Sequence, residues 1–439
     1  MKVTPFNVHD TLKKYMLVDG LDIVLDLQKS TGSHLWDARR NRKFLDFFTF
    51  FATAPLGCNH PKMLEPDFVR ELGAIAVNKP SNSDVYTTEM AEFVDTFARL
   101  AKPESMNHLF FISGGALAVE NGLKTAFDWK VKKNFEKGHK DEKGYKVLHF
   151  KEAFHGRTGY TLSLTNTYDP AKIEYFPKFE WPRITNPKIT FPLNDENLKK
   201  VRDLEGKAIE EINSAIEANK NDCAALIIEP IQGEGGDNHF RKEFFRVLRK
   251  VCDEKELLFM LDEVQTGMGL TGKMWCYQHF DFEPDIICFG KKTQVCGIMA
   301  GKRADEVKEN VFHKSSRINS TWGGNLVDMV RSRKYLEIIH EERLIENADR
   351  MGNYLLKELL RLGEAHSNLF SNIRGKGLMI AFDLPTSELR DKLKNKLYGM
   401  GMLTLGCGAR SIRFRPPLSI DKESIDEGIG ILEKALKAM

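Results

Sequence analysis

Short apolar runs alternate with helical patterns along the middle of the chain. The runs are "HLFFI" (108–112), "KVLHF" (146–150), "AALIIEP" (224–230), "LLFML" (257–261) and "DIICF" (285–289). The segments between them, such as "RKEFFRVLRKVCDEK", carry apolar residues at helical spacing. Because uninterrupted apolar strands separated by helices are typical of a parallel sheet covered on both faces, the pattern predicts an α/β fold.

The pattern changes after about residue 325. A long helical stretch leads there to short apolar segments, "GKGLMIAFDLP" and "SIRFRPPLS". Helices followed by short strands predict a smaller α+β domain. We therefore divide the chain into an N-terminal segment (1–60) that packs with the small domain, a large domain (61–325) and a C-terminal small domain (326–439).

Composition and charge exclude several classes of protein. The 439 residues are 42% hydrophobic and carry 65 basic against 62 acidic side chains, which is too balanced for a nucleic-acid or anionic-membrane binder. No apolar run approaches the length of a membrane span, and the first residues have no signal core. The seven scattered cysteines contain no CxxC pair, so we expect a cytoplasmic protein without a structural metal.

Ligands of open α/β sheets bind at the carboxyl ends of the strands, so we expect functional residues directly after the apolar runs. After the run at 108–112, Ser113, Gly114 and Gly115 open a helical pattern near Ala116. A glycine turn at a helix start offers free N–H groups to a phosphate. An ordinary helix cap explains the same residues equally well.

Asp262 follows five apolar residues at the end of the run at 257–261. A carboxylate in that position needs a partner, which is either a nearby Lys or Arg or the protonated ring nitrogen of pyridoxal phosphate. The "GMGLTG" that follows also matches the glycine pattern of nicotinamide and flavin sites. In those sites the glycines follow the strand directly, and the intervening "DEVQT" disfavours that interpretation.

Two adjacent lysines, Lys291 and Lys292, follow the strand "IICF" and a glycine. Desolvation at the end of a core strand lowers the pKa of an amine and makes it a nucleophile able to form a Schiff base. The alternative is that both lysines reach solvent, as lysines usually do.

Two further loops carry candidate side chains. In "FHGR", Phe154 suits stacking on a planar cofactor or plain core packing, Arg157 suits a carboxylate, and His155 is more often structural than catalytic. "EPIQGEGG" places Glu229 and Glu234 at the end of another strand.

The remaining candidates lie later in the chain. Thr321 stands beside a Gly-Gly turn in "STWGGN", where its hydroxyl suits a phosphate oxygen. In "SIRFRPP", strand alternation places Arg413 and Arg415 on one face. We expect one arginine to face a cleft and the other to form a surface ion pair.

Taken in order, these motifs resemble the class III family of pyridoxal-phosphate-dependent aminotransferases, which have the type I fold of aspartate aminotransferase. The resemblance spans most of the chain and rests on the glycine turn with its helix, "FHGR", "EPIQGEGG", "DEVQTGMGLTG", "FGKK" and "STWGGN". It implies pyridoxal 5'-phosphate as cofactor and a large domain with a mostly parallel sheet between helices.

A closer resemblance joins the chain to the branch of this family that acts on the ε-amino group of L-lysine. Its motifs are "MLVDGLDIVLDL", "NKPSNSDVY", "GGALAVEN", "FGKKTQVCG" and "RFRPPL". The implied reaction is a ping-pong transfer from L-lysine to 2-oxoglutarate. Ornithine and 4-aminobutyrate remain alternative donors, and a non-catalytic protein of the same fold or a nucleotide-dependent oxidoreductase remains an alternative class.

The resemblance also implies roles for individual residues. Lys291, not Lys292, forms the Schiff base, and Asp262 pairs with the pyridine nitrogen. The cofactor is further held by the backbone of Gly115 and Ala116, by stacking on Phe154, and by Glu229, Gln265 and Thr321.

Substrate binding and assembly follow from the same resemblance. Arg157 and Arg413 bind substrate carboxylates together with Gln265, and Glu234 is able to pair with Arg413 and mask it. Thr321 reaches the phosphate from a neighbouring subunit, which implies a homodimer with shared active sites. Ala116 and Leu270 stand where many relatives have Ser or Thr and Arg, a departure that fits the lysine-specific branch.

Overall fold

A computed structural model describes residues 2–439, and its centre is a seven-stranded sheet. The sixteen strands of the described chain are β1 His34–Asp37, β2 Arg42–Asp46, β3 Met106–Ile112, β4 Lys146–Phe150, β5 Arg183–Ile184, β6 Cys223–Ile228, β7 Ile231–Gln232, β8 Asn238–His239, β9 Leu258–Asp262, β10 Ile286–Phe289, β11 Cys296–Gly301, β12 Ser371–Lys376, β13 Met379–Asp383, β14 Met402–Leu403, β15 Leu405–Cys407 and β16 Ser411–Phe414. The helical segments are α1 Val8–Lys13, α2 Thr49–Ala52, α3 Pro66–Ala76, α4 Thr88–Leu100, α5 Gly115–Glu136, α6 Gly159–Leu164, α7 Asp195–Ala218, α8 Lys242–Glu254, α9 Leu326–Glu341, α10 Leu344–Ala365, α11 Ser387–Met400 and α12 Lys422–Lys437.

The central sheet has the order β3-β11-β10-β9-β6-β4-β5. Its strands are parallel except β11, which runs antiparallel to both β3 and β10. The predicted α/β fold with a mostly parallel sheet is therefore confirmed. Because β3, β4, β6, β9 and β10 run in the same direction, their carboxyl ends lie along one edge of the sheet.

The apolar runs form strands because each one is buried on both faces. In β9, Leu258 and Met260 pack with α5, whereas Phe259 and Leu261 pack with α8. Every residue of β6, β9 and β10 is buried. Burial on alternating faces explains why these strands read as continuous apolar runs without polar alternation.

Two elements differ from the sequence pattern. Strand β11 escapes prediction because its "CGIMAG" contains two glycines, which are poor strand formers. A Cβ at Gly297 would overlap the carbonyl oxygen of Phe110 on the neighbouring strand, so only glycine fits there. The long helical stretch after residue 325 is divided into α9 and α10 by Arg343, whose φ is +53°.

The C-terminal part contains a second, antiparallel sheet of order β12-β13-β16-β15. A third sheet joins the N-terminal β1 and β2 to β14 through parallel pairing of β14 with β2. None of the helices within residues 2–439 combines the length and the apolarity needed to cross a bilayer.

The close contact at Gly297 leads to a test of the fold. We expect Gly297→Ala to lower the free energy of unfolding by about 1–3 kcal/mol, because the added methyl overpacks the β3–β11 contact. Gly206 lies in α7 with no atom near its Cβ position. Gly206→Ala should raise the stability by about 0.5–1 kcal/mol. Urea unfolding of both variants measures the difference, and equal stabilities would contradict the described register of β11.

Candidate active site

Lys291 lies just beyond the end of β10 in a strained turn. Its φ is +54°, a left-handed conformation that is unusual for a residue with a side chain. The preceding Gly290 packs against Cys296, whose Sγ lies 2.8 Å from the Cβ position that any other residue would need. Desolvation, reinforced by the positive charge of Arg413, lowers the pKa of Lys291 to about 8.

Lys292 lies in a different environment. Its side chain is buried, and its Nζ donates a hydrogen bond of 2.8 Å to the backbone carbonyl of Gln265. Burial lowers the pKa of this amine well below its usual value. The two lysines therefore have separate surroundings: Lys292 supports the loop after β9, while Lys291 is the amine whose surroundings include Asp262, Glu229 and Arg413.

Asp262, the last residue of β9, is buried and pairs with His155. Nδ1 of His155 lies 2.8 Å from Oδ2 of Asp262, and the backbone N–H of Val264 donates to Oδ1 at 3.0 Å. The carboxylate thus has a histidine partner in place of the Lys or Arg that was one of the two expected alternatives. The sequence favours a structural role for His155, and its place next to Phe154 is the one signal that links it to the site.

Glu229 connects two loops of the site. Its Oε1 accepts a hydrogen bond of 2.9 Å from the backbone N–H of Phe154, and its Oε2 accepts one of 3.0 Å from Gly233. Burial raises the pKa of this carboxyl to about 7. Glu229 therefore fixes the backbone that carries the half-buried Phe154.

The N-terminus of α5 lies beside these residues. The helix begins at Gly115, and its cap, Gly114, has a φ of +106° and no side chain to occupy the free N–H groups. A Cβ at Gly156 would lie 2.5 Å from the Cβ of Ala116, so the "FHGR" loop approaches the helix start closely. Val264 packs near both Gly115 and Gly290, which places this helix end next to the Lys291 turn.

Arg413 and Arg415 converge on the side chain of Gln265. Arg413 donates to Oε1 of Gln265 at 3.2 Å, and its own Nε is buried without a partner among the described residues. Arg415 is completely buried and binds Asp237 in a bidentate pair, with distances of 2.8 and 2.5 Å. The expected surface ion pair is therefore wrong for Arg415, because the residue lies between the C-terminal β12-β13-β16-β15 sheet and the β7–β8 hairpin.

Glu234 has other partners than the arginine that the resemblance suggested. Its Oε1 accepts hydrogen bonds from Oγ1 of Thr167 at 2.6 Å and from Nζ of Lys172 at 2.7 Å. Within residues 2–439, it forms no ion pair with Arg413, and its Oε2 is buried without a hydrogen-bond partner.

The last two predicted residues are exposed. Arg157 is exposed and makes no ion pair within the described chain. Thr321 is also exposed, and its carbonyl oxygen accepts a hydrogen bond of 3.2 Å from Ser83. Their placement fits surfaces that a ligand or a second chain completes, and the roles predicted for them stay predictions.

These side chains suit pyridoxal 5'-phosphate. A buried carboxylate held by a histidine suits a protonated ring nitrogen, and an open helix N-terminus with no side-chain cap suits a phosphate. A desolvated amine beside both suits the covalent link. The glycines after β9 start no helix, since the residues from Glu263 to Trp275 form turns, so the dinucleotide interpretation fails on geometry.

Comparison with known proteins gives strong matches. The Aminotransferase class-III family profile matches residues 15–436. An L-lysine-epsilon aminotransferase of Mycobacterium bovis is 51% identical over 99% of this chain and 96% of its own length, and one of Amycolatopsis lactamdurans is 48% identical over 98% and 95%. The human mitochondrial 4-aminobutyrate aminotransferase is 33% identical over 89% of this chain and 80% of its own length.

A solved structure agrees with these matches. The lysine aminotransferase of Mycobacterium tuberculosis in the internal aldimine form superposes with a TM-score of 0.97 at 51% identity, covering 99% of this chain and 100% of that one. The type I fold and pyridoxal 5'-phosphate as cofactor, both expected from the motifs, are thereby confirmed. With its profile match spanning nearly every residue, the chain belongs to the class III aminotransferases.

Proposed function

We propose that this aminotransferase transfers the ε-amino group of L-lysine to 2-oxoglutarate in a ping-pong reaction. The products are 2-aminoadipate 6-semialdehyde and L-glutamate. The observation that carries the proposal is the amine of Lys291, whose pKa is lowered beside Asp262 and Arg413. Support for lysine as donor comes from relatives named for that activity, which are 47–51% identical to this chain, against 33% for the 4-aminobutyrate enzyme.

Lys291 is the residue that we assign to covalent catalysis. When bound, pyridoxal 5'-phosphate supplies an electron sink for the carbon that loses its amino group. Nζ of Lys291 would hold the cofactor covalently in the resting enzyme and would be free once a substrate amine is bound there. The freed amine, with its pKa near 8, then removes the proton from the substrate carbon as a general base.

Asp262 and His155 act together on the cofactor ring. His155 donates from Nδ1 to Oδ2 of Asp262, which keeps the carboxylate oriented at the end of β9. Asp262 would pair with the ring nitrogen of the bound cofactor and favour its protonated form. Because both residues are buried, their interaction is strong, and water does not compete for it.

The other cofactor contacts follow from the arrangement of the loops. The free N–H groups of Gly115 and Ala116 at the start of α5 would bind the phosphate. Phe154 would stack on the ring from the loop that Glu229 fixes, and Gln265 would offer its amide to the cofactor.

Arg413 is the residue that we assign to the acceptor carboxylate. Its partner Gln265 is neutral and its Nε has no hydrogen bond among the described residues, so its positive charge is available. Arg157 is the second arginine that we assign to a substrate carboxylate. Glu234 has to leave Thr167 and Lys172 before it can mask Arg413 for the lysine half-reaction.

A homodimer with shared active sites completes the proposal. The segment 77–86 packs on the "STWGGN" loop through Ser83 and through Lys79, whose Nζ lies 3.5 Å from the ring centre of Trp322. This surface exposes Val77 to 78% and Tyr86 to 76%. An apolar patch of this kind is typical of an interface, and it carries Thr321 toward a second subunit.

We also propose a cytoplasmic location and the division of the chain into three parts. All seven cysteines are free, which supports a cytoplasmic protein. The division into 1–60, 61–325 and 326–439 is supported by the pairing of β2 with β14 and by the separate C-terminal sheet.

The donor is tested by the absorption spectrum of the cofactor-loaded protein without 2-oxoglutarate. We expect L-lysine to convert the visible cofactor band to that of the amino form, because its ε-amine reaches the cofactor carbon to which Lys291 is attached. Ornithine and 4-aminobutyrate should convert it at least about tenfold more slowly, the discrimination that small differences in a pocket supply. If 4-aminobutyrate converts the band faster than L-lysine does, lysine is not the preferred donor.

The lowered pKa of Lys291 is tested by attaching pyridoxal 5'-phosphate to the apo-protein. Only the neutral amine reacts, so the rate should rise roughly tenfold from pH 7 and level off above a midpoint near pH 8. Lys291→Ala should abolish the covalent band, and Lys292→Met, which keeps the volume of the side chain, should retain it. A midpoint above pH 10, or a covalent band in Lys291→Ala, would contradict the assignment.

A further inference from the structure

The carbonyl oxygen of the Gln265 side chain accepts three N–H groups from two arginines. Arg413 donates from Nη1 at 3.2 Å, and Arg415 donates from Nη2 at 3.0 Å and from Nε at 3.3 Å. A guanidinium has donors only. A rotated amide would therefore place its NH₂ group against three N–H donors, so the two arginines fix which end of the amide faces them.

The other end of the amide is left as a donor. Among the described residues, Nε2 of Gln265 has no hydrogen-bond acceptor. It lies beside Gly233, where a Cβ would come within 2.8 Å of Nε2. Glu229, which binds the N–H of Gly233, and Lys292, which binds the carbonyl of Gln265, hold the two loops in place. The NH₂ group of Gln265 therefore offers hydrogen bonds to a ligand of the Lys291 pocket.

Arg415 is itself rigidly held. Its guanidinium forms a bidentate pair with Asp237, and neither side chain is exposed. Its backbone N–H donates to the carbonyl of Phe47 at 2.9 Å, and its carbonyl accepts from Oγ1 of Thr49 at 2.7 Å. Asp237 is held in turn by Arg374, whose Nε donates to the Asp237 carbonyl at 3.0 Å.

The two arginines therefore differ in function. The charge of Arg415 is neutralised by Asp237, so it has little attraction for a substrate carboxylate. Among the described residues, Arg413 donates its side-chain hydrogen bond to the neutral amide of Gln265 and forms no ion pair, so its charge stays available. A buried ion pair is weak evidence for stability, because desolvation of both charges offsets their attraction. The Arg415–Asp237 pair therefore needs an explanation other than a contribution to stability.

We propose that Arg415, held by Asp237, is a positioning residue of the transamination reaction. It fixes the Gln265 amide so that the NH₂ group donates to an anionic oxygen of the bound cofactor. Because Gln265 also accepts from Arg413, the same contact fixes the guanidinium that binds the acceptor carboxylate. The inference rests on the proposed function, since it requires pyridoxal 5'-phosphate in the Lys291 pocket.

The test is the double variant Arg415→Gln with Asp237→Asn. A single substitution leaves an unpaired buried charge and is expected to unfold the protein, whereas the double variant removes both charges together. We measure the urea midpoint, the pH midpoint of the visible cofactor band, and kcat and KM for L-lysine. Arg410→Gln is the matched control, because Arg410 is half exposed and lies only 3.8 Å from Asp383 in the same part of the small domain.

We expect the double variant to keep the urea midpoint and the KM of the wild type. The pH midpoint of the band should rise by about one unit, because the cofactor oxygen loses its oriented donor. The kcat should fall about tenfold, and Arg410→Gln should match the wild type throughout. A purely structural ion pair predicts that the double variant titrates and turns over like the wild type, and that result would overturn the inference.

Gln265→Glu keeps the test decisive if the double variant does not fold. Its carboxylate accepts the same N–H groups from both arginines but donates nothing, so the band midpoint should rise as well. If the cofactor band of Gln265→Glu titrates like that of the wild type, the donor role of the Gln265 NH₂ group is overturned. A wild-type protein that shows no cofactor band would instead overturn the proposed function, and this inference with it.

Discussion

The desolvated amine of Lys291 is the constraint on which the rest of the site depends. Burial away from water and nearby positive charge both lower the pKa of a lysine, and either effect helps to keep its amine nucleophilic near neutral pH. Lys291 is half-buried just beyond the end of β10, and Arg413 supplies the positive charge. The left-handed turn at Lys291 and the absence of a side chain at Gly290 follow from placing the amine there.

The charges around this amine are arranged in two separate groups. On one side, Asp262 is paired with His155 and is the carboxylate that we propose for the ring nitrogen of the cofactor. On the other side, Arg415 is neutralised by Asp237 while Arg413 is not, so one of two adjacent arginines is left for a carboxylate. One pocket can thereby offer Asp262 to a cationic ring and Arg413 to an anionic substrate, because Asp262 and Arg413 do not pair with each other.

Much of this arrangement could be predicted from the sequence, because the strands are buried on both faces and their ends converge. The strand ends predict Asp262 and the Lys291–Lys292 pair, whereas the choice of Lys291 over Lys292 rests on the resemblance. Contacts between distant segments could not be predicted: His155 and Asp262 are 107 positions apart, and Glu234 meets Lys172 at a separation of 62. Strand alternation in "SIRFRPP" predicts the face on which Arg415 lies, but it does not predict the hairpin that covers that face.

The most direct test of the central claim follows the nitrogen itself. L-Lysine labelled with nitrogen-15 at the ε position is incubated with the enzyme and 2-oxoglutarate, in parallel with L-lysine labelled at the α position. We predict that the ε label appears in L-glutamate and that the α label stays in the semialdehyde product. Glutamate labelled from the α position, or unlabelled glutamate in both incubations, would contradict it.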